Sequence, residues 1–314
     1  MSSISREYLV KFAGICGSDI NKAQEASFEV DDILALGHEI VCASDAGELY
    51  VVNPFECNGY CERCAQDSYM HCDKVTRIGA GKVNGGYAGK ICINPSNLYR
   101  IPAFVEHPEI GVLCDGIAVI LHGFHMVDLC GVRNVAIIGT GSIGILSALV
   151  AKDRYPEMVI DIVCRSSQKK AFLSQIFKDK FNFIDADSIS QKKCRYDLVI
   201  EAVGGKQTKT LSDAVDIVKN SGTILVFGAF NNDCKTFDNL RQLFYKQISL
   251  LGVNSFCQKY NDFQDAVDWA ITHEDIILPL LTDLFYVKRE MINSKELYQS
   301  VVQRKLLKGC FVYE

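Results

Sequence analysis

The sequence predicts an α/β protein in two parts, with a doubly wound parallel sheet in the middle of the chain. Three observations carry this. Between residues 134 and 256, continuous apolar, β-branched runs alternate with helical segments, the pattern of buried parallel strands joined by crossover helices. The first of these runs leads through Gly139-Thr140-Gly141-Ser142-Ile143-Gly144 into an apolar helix. Upstream, four cysteines crowd into a stretch of loop formers, which marks a separate, metal-dependent part.

Length and composition set the bounds. A chain of 314 residues, 48% hydrophobic and 23% charged, is globular and long enough for two ordinary domains. A net charge of −5 and the lack of any Lys/Arg tract exclude nucleic-acid binding by bulk electrostatics. The run Met1-Ser2-Ser3-Ile4-Ser5-Arg6-Glu7 does not resemble a signal sequence, and stretches such as Val135 to Ile138 are strand-sized. A cytoplasmic protein without membrane contact is expected. Thiols stay reduced there, so 14 cysteines point first to metal ligation.

In chain order, the first signal is Cys16-Gly17-Ser18-Asp19, after the apolar run Tyr8-Leu9-Val10-Lys11-Phe12, and the second is Gly37-His38-Glu39. A thiolate and an imidazole at strand ends can supply two ligands of one zinc, with Asp19 or Glu39 orienting the imidazole. Cys114-Asp115 follows Ile110, Val112 and Leu113 and offers a third ligand, from either residue. Three protein ligands with one open position describe a catalytic zinc.

Between these lie Cys57, Cys61, Cys64 and Cys72, spaced C-x3-C-x2-C-x7-C. Short spacers let four thiolates converge on one ion, and a closed tetrahedral shell makes the site structural. An iron–sulfur cluster also takes four thiolates; zinc is the expectation. Two zinc ions per chain follow.

The middle of the chain reads as a β-α-β unit. Asn134 to Ile138 is a buried strand, the glycine loop follows, and Ile145 to Lys152 continues as a helix. Gly139, Gly141 and Gly144 allow a tight turn, and the helix start at Ser142 and Ile143 presents N–H groups to a pyrophosphate. The second strand, Met158 to Cys164, ends in Cys164-Arg165-Ser166-Ser167-Gln168-Lys169-Lys170, where an NAD site would carry an acidic residue. Arg165, Ser166, Lys169 and Lys170 suit a 2′-phosphate, so NADP(H) is expected over NAD(H). A solvated basic helix start is the bland alternative. Asp161 sits mid-strand and is expected to face elsewhere. Further strands are expected at Tyr196 to Gly205, Ser221 to Gly228 and Ile248 to Phe256, with Phe263, Ala266, Val267 and Ala270 lining one helix face after them.

The order of these signals resembles the zinc-dependent medium-chain alcohol dehydrogenases, in their polyol and sorbitol-like branch. It runs from Cys16-Gly17-Ser18-Asp19 through Gly37-His38-Glu39, the four-cysteine lobe, Gly85-Gly86-Tyr87-Ala88 and Cys114 to Val119, to the glycine loop. The resemblance implies a GroES-like β-barrel domain over 1–115 and 249–314, interrupted by a Rossmann nucleotide-binding domain over 116–248, with the site in the cleft. It implies Cys16, His38 and Asp115 as catalytic-zinc ligands, with Cys114 as alternative and Glu39 able to enter the shell. Ser18 becomes the proton relay and Asp19 the carboxylate behind the imidazole. Val203 and Gly204 join the cofactor-binding set. A small alcohol or ketone substrate and a homodimer or homotetramer are implied.

This sequence departs from the family at four points. Fifteen residues precede Cys16 and the span from His38 to Cys57 is short, so a trimmed first domain is expected. One extra residue lies between Cys57 and Cys61, and Asn21 stands where the family relays protons by histidine. Residues 155–170 and 201–206 are similar to NADPH-dependent reductases of ribulose 5-phosphate, which favours a polyhydroxylated or phosphorylated substrate. Two other readings compete: a cofactor-binding protein without turnover, and a zinc module that docks partners. The intact Cys16, His38 and Ser18 speak against both.

Overall fold

The computed structural model describes residues 5–57, 69–178, 180–230, 239–303 and 305–314. The chain forms two compact units, Met1–Ala118 with Ser255–Glu314, and Val119–Asn254. Among the described residues no helix is long and apolar enough to cross a membrane.

In the first unit β1 (Arg6–Ile15), β2 (Glu39–Ala43), β3 (Leu49–Val52), β6 (Lys90–Ile93), β7 (Leu98–Arg100), β14 (Leu281–Val287) and β15 (Lys308–Tyr313) share a seven-stranded sheet. Its order is β14-β15-β1-β2-β3-β7, with β6 added on β1. A separate pair, β4 (Phe55–Cys57) and β5 (Val75–Arg77), runs antiparallel. The core holds Val10, Ala13, Ile40, Tyr87, Ile91 and Phe311, all at most 2% exposed, and each large apolar side chain so buried contributes about 1.5–3 kcal/mol. Register positions the site: Gly14 pairs with Glu39 on one side and with Cys310 on the other, and Ile15 pairs with Gly309. The C-terminal end of β1 thus lies between the first residues of β2 and β15.

The second unit holds six parallel strands, β8 (Asn134–Ile138), β9 (Val159–Cys164), β10 (Asn182–Asp185), β11 (Tyr196–Glu201), β12 (Val218–Val226) and β13 (Ser249–Gly252). Their order is β10-β9-β8-β11-β12-β13, the doubly wound arrangement whose direction reverses between β8 and β11. Helices Ser142–Arg154, Ser167–Ile176, Lys209–Ile217 and Leu240–Tyr245 connect them. The glycine loop continues β8 and Val203-Gly204 continues β11, so both lie at the carboxyl ends flanking the reversal, where such sheets bind ligands. Asp161 is mid-strand, as expected, and accepts from Tyr196 Oη at 2.6 Å and Asn182 Nδ2 at 2.9 Å.

Two local expectations change. The boundary expected at residue 249 falls later: β13 pairs with β12 as the sixth strand of this sheet, and the chain returns to the first unit at Ser255. His38 does not end a strand: a 3-10 turn at Val30–Ala35 precedes it, and the apolar stretch before Asp115 is a 3-10 turn at Pro108–Leu113. His38 instead leads into β2, after Gly37 at φ +84°, and Asp115 starts the helix Cys114–His125.

Candidate active site

Cys16, His38 and Glu39 present ligand atoms all within 4.8 Å of one another. Cys16 follows β1 directly and caps the helix Gly17–Ala23. His38 is 2% exposed; its Nδ1 stands 3.4 Å from Asp19 Oδ1 and its Nε2 3.9 Å from Asp115 Oδ2. This split orients the ring, with the carboxylate of Asp19 on Nδ1 and Nε2 directed at the cluster. Asp19 is held in turn: Oδ2 accepts from Cys16 N at 3.2 Å and from Tyr87 Oη at 2.8 Å. Burial alone would raise the Asp19 pKa, but His38 and these donors hold it below the ordinary carboxylate value. Burial likewise opposes the imidazolium, yet the charges of Asp19 and Cys16 raise His38 well above its usual range. The field that draws a proton to this imidazole also draws a divalent cation.

These donors fit zinc. Nitrogen and oxygen ligands about 2.0–2.1 Å from a tetrahedral ion stand roughly 3.4 Å apart, close to the 3.9 Å between His38 and Asp115. Asp115 Oδ1 is buried without a hydrogen-bond partner among the described residues, an arrangement that a cation would satisfy. The neighbouring Cys114 is 1% exposed, and burial pushes its thiol pKa up, away from the thiolate a metal needs.

Glu39 reaches the cluster but is already engaged. Its Oε1 accepts from Lys308 Nζ at 2.5 Å, and Oε2 contacts the same ammonium. A Cβ at position 14 would lie 2.4 Å from Glu39 Oε2, so Gly14 leaves the room this carboxylate occupies. Ser18 lies exposed on the first turn after Cys16, and Asn21 is exposed on the next.

For the cysteine lobe, Cys57 Sγ and Cys72 Sγ are 3.7 Å apart. Two sulfurs bonded at 2.3 Å to one tetrahedral zinc are separated by about 3.8 Å. Cys61 and Cys64 lie outside the described residues.

In the second unit a cavity of about 500 Å³ is lined by Gly139, Thr140, Gly141, Arg165, Lys169 and Val203, among others. Ser142 and Ile143 open the helix beside it, and Gly144 packs where a Cβ would meet Gly139 O at 2.1 Å. Two expected phosphate contacts have other occupations. Ser166 Oγ caps its helix by accepting from Lys169 N at 3.3 Å, and Lys170 Nζ pairs with Asp185 at 2.7 Å. Gly204 N and Val203 N both donate to Glu201 Oε1, which also accepts from Thr210 Oγ1 at 2.7 Å. Sequence patterns do not reveal this braced turn, with Gln207 beside it on the cavity wall; an acidic residue ending a buried strand before two glycines is its only signal.

Residues 142–272 match the family model of the zinc-binding dehydrogenases. Galactitol 1-phosphate 5-dehydrogenase of Escherichia coli (strain K12) is 28% identical over 268 residues, covering 78% of this chain and 75% of that protein. The crystal structure of galactitol-1-phosphate dehydrogenase from Escherichia coli has a TM-score of 0.77 at 20% identity, covering 99% of this chain and 93% of that one. S. aureus TarJ in complex with NADPH gives 0.74 at 18%, covering 99% and 92%. The fold shared with these structures is the GroES-like plus Rossmann arrangement. By its family-model match over residues 142–272, its sequence relatives and this fold, the chain is similar to the zinc-binding dehydrogenases, polyol dehydrogenases among them.

Proposed function

We propose that the protein transfers hydride between NADP(H) and the secondary alcohol or ketone of a polyol or sugar derivative. The observation that carries this reading is the cluster of Cys16, His38 and Glu39 donor atoms within 4.8 Å of one another, with Asp115 Oδ2 3.9 Å from His38 Nε2 and Asp115 Oδ1 without a hydrogen-bond partner among the described residues. Bound zinc supplies Lewis acidity toward a substrate oxygen, and bound nicotinamide exchanges the hydride. The chain's own part is to hold Cys16, His38 and Asp115 in one shell, with Asp19 fixing the imidazole. Ser18, exposed beside Cys16, passes the substrate proton to solvent. Cys57, Cys61, Cys64 and Cys72 hold a second, structural zinc, and the chain assembles as a homodimer or homotetramer.

Arg165 and Lys169 on the nucleotide cavity bind the 2′-phosphate that distinguishes NADP(H). The similarity to a sugar-phosphate dehydrogenase favours a phosphorylated polyol or ketose within the same reaction class. A panel of polyols, ketoses and their phosphates, read by nicotinamide absorbance with both cofactors, tests the assignment. Turnover with a polyol-type pair supports it, and zinc-loaded protein inert to the panel in both directions overturns it. Arg165→Asp is expected to weaken NADPH binding by about ten-fold, equivalent to ~1.4 kcal/mol, and to spare NADH.

A further inference from the structure

We propose that Lys308 is a positioning residue that holds Glu39 outside the metal shell and so keeps the fourth ligand position open for substrate. The proposal rests on the metal site proposed above. Glu39 is near enough to ligate, its carboxylate within 4.8 Å of the Cys16 and His38 donor atoms. Yet both its oxygens contact Lys308 Nζ, and the pair is buried, 5% exposed at Glu39 and 4% at Lys308.

Charge decides which partner holds Glu39. A thiolate from Cys16 and the carboxylate of Asp115 neutralise a divalent ion, with His38 contributing no charge. Glu39 and Lys308 form a second neutral pair beside it. Moving Glu39 to the metal would make the shell anionic and leave Lys308 as a buried, unpaired ammonium, which is strongly disfavoured. The backbone fixes this partnership. Lys308 begins β15, next to Gly309, which pairs with Ile15, while Glu39 pairs with Gly14. Removing the cation should therefore release Glu39 to complete the shell with a fourth protein ligand.

The test uses the full chain loaded with Co²⁺ or Zn²⁺, comparing the wild type with Lys308→Met, Lys308→Arg and the double variant Lys308→Met/Glu39→Gln. Cobalt d–d absorption reports the donor set without turnover, chelator competition gives the metal affinity, and circular dichroism reports folding. Lys308→Met is expected to change the cobalt spectrum, to tighten metal binding by about ten-fold, the scale of effects from residues that support ligands, and to lower kcat. Lys308→Arg and the double variant should keep the wild-type spectrum. A folded Lys308→Met protein with wild-type spectrum and affinity overturns the proposal, as does a spectral change that Glu39→Gln fails to reverse. If Lys308→Met does not fold, Lys308→Ala, neutral and unable to bond Glu39, is read by the same criteria. Wild-type protein that takes up no cobalt would instead overturn the metal site itself, and this proposal with it.

Discussion

The Tyr87 hydroxyl stands 2.8 Å from Asp19 Oδ2, and Asp19 Oδ1 stands 3.4 Å from His38 Nδ1. A fully buried phenol thus supports the carboxylate that orients the imidazole. Tyr87→Phe keeps the ring packed on Phe311 and removes the hydroxyl that reaches Asp19 Oδ2 and, at 3.1 Å, Gly14 O. The expected cost is ~1–3 kcal/mol of stability and about 10–100-fold in zinc affinity. Thermal unfolding and chelator competition measure the two separately; unchanged zinc affinity would show that Asp19 needs no such support.

Asp115 and Cys114 are adjacent, and only Asp115 belongs to the proposed metal shell. Asp115→Ala is expected to abolish tight zinc binding at the catalytic site. Cys114→Ala removes a buried thiol from the packed interior and should keep zinc, at a stability cost below about 2 kcal/mol. Zinc stoichiometry by atomic emission distinguishes them, and the reverse pattern would move the ligand to Cys114.

Gly144→Ala places a methyl group 2.1 Å from Gly139 O, a backbone atom that cannot turn aside. The helix start must shift from the glycine loop. Overpacking of this kind costs about 1–3 kcal/mol, and dinucleotide binding should fall by about ten-fold or more. Quenching of NADPH fluorescence reads the affinity, while zinc content should not change.

Lys305 is 8% exposed and donates to the carbonyls of Ser300 and Gln303, closing the end of the helix Ser294–Val302. Burial lowers its pKa from 10.5 to about 8, against the opposing charge of Asp283. The unfolded chain therefore binds more protons than the folded one between about pH 8 and 10.5. Below pH 8 the cost of burying the ammonium is fully present, and it is relieved as pH rises through that window. Wild-type stability relative to Lys305→Met should increase from pH 8 to 10.5. Denaturant midpoints across that range check this, and a flat difference would refute it.

Motif spacing made the proposed ligands legible. Cys16, His38 and Asp115 each sit in a short chemical signature, and local signatures survive without knowledge of the fold. The partner of Glu39 was not legible, because Lys308 lies 269 residues away and meets it only through the strands flanking β1. The same limit applies to Tyr87, whose place in a glycine-rich motif says nothing of its bond to Asp19. The phosphate side errs in the opposite sense. Basic residues after β9 form one set in the sequence, but local geometry diverts Lys170 to Asp185 and commits Ser166 to its helix cap. Arg165 and Lys169 alone of that set line the cavity.

The interrupted first unit also sets an order of events during synthesis. By residue 254 the ribosome has delivered every strand of the second unit, whereas β14 and β15 of the first are still to come. Cys16, His38 and Asp115 thus emerge long before the strand that carries the counter-charge for Glu39. Under the proposed arrangement, no counter-charge would hold Glu39 away from a bound cation until that strand docks. Metal captured early by the nascent chain would be held more tightly than metal in the finished enzyme, and docking of the last strand would complete the protein and unclench the site in one act.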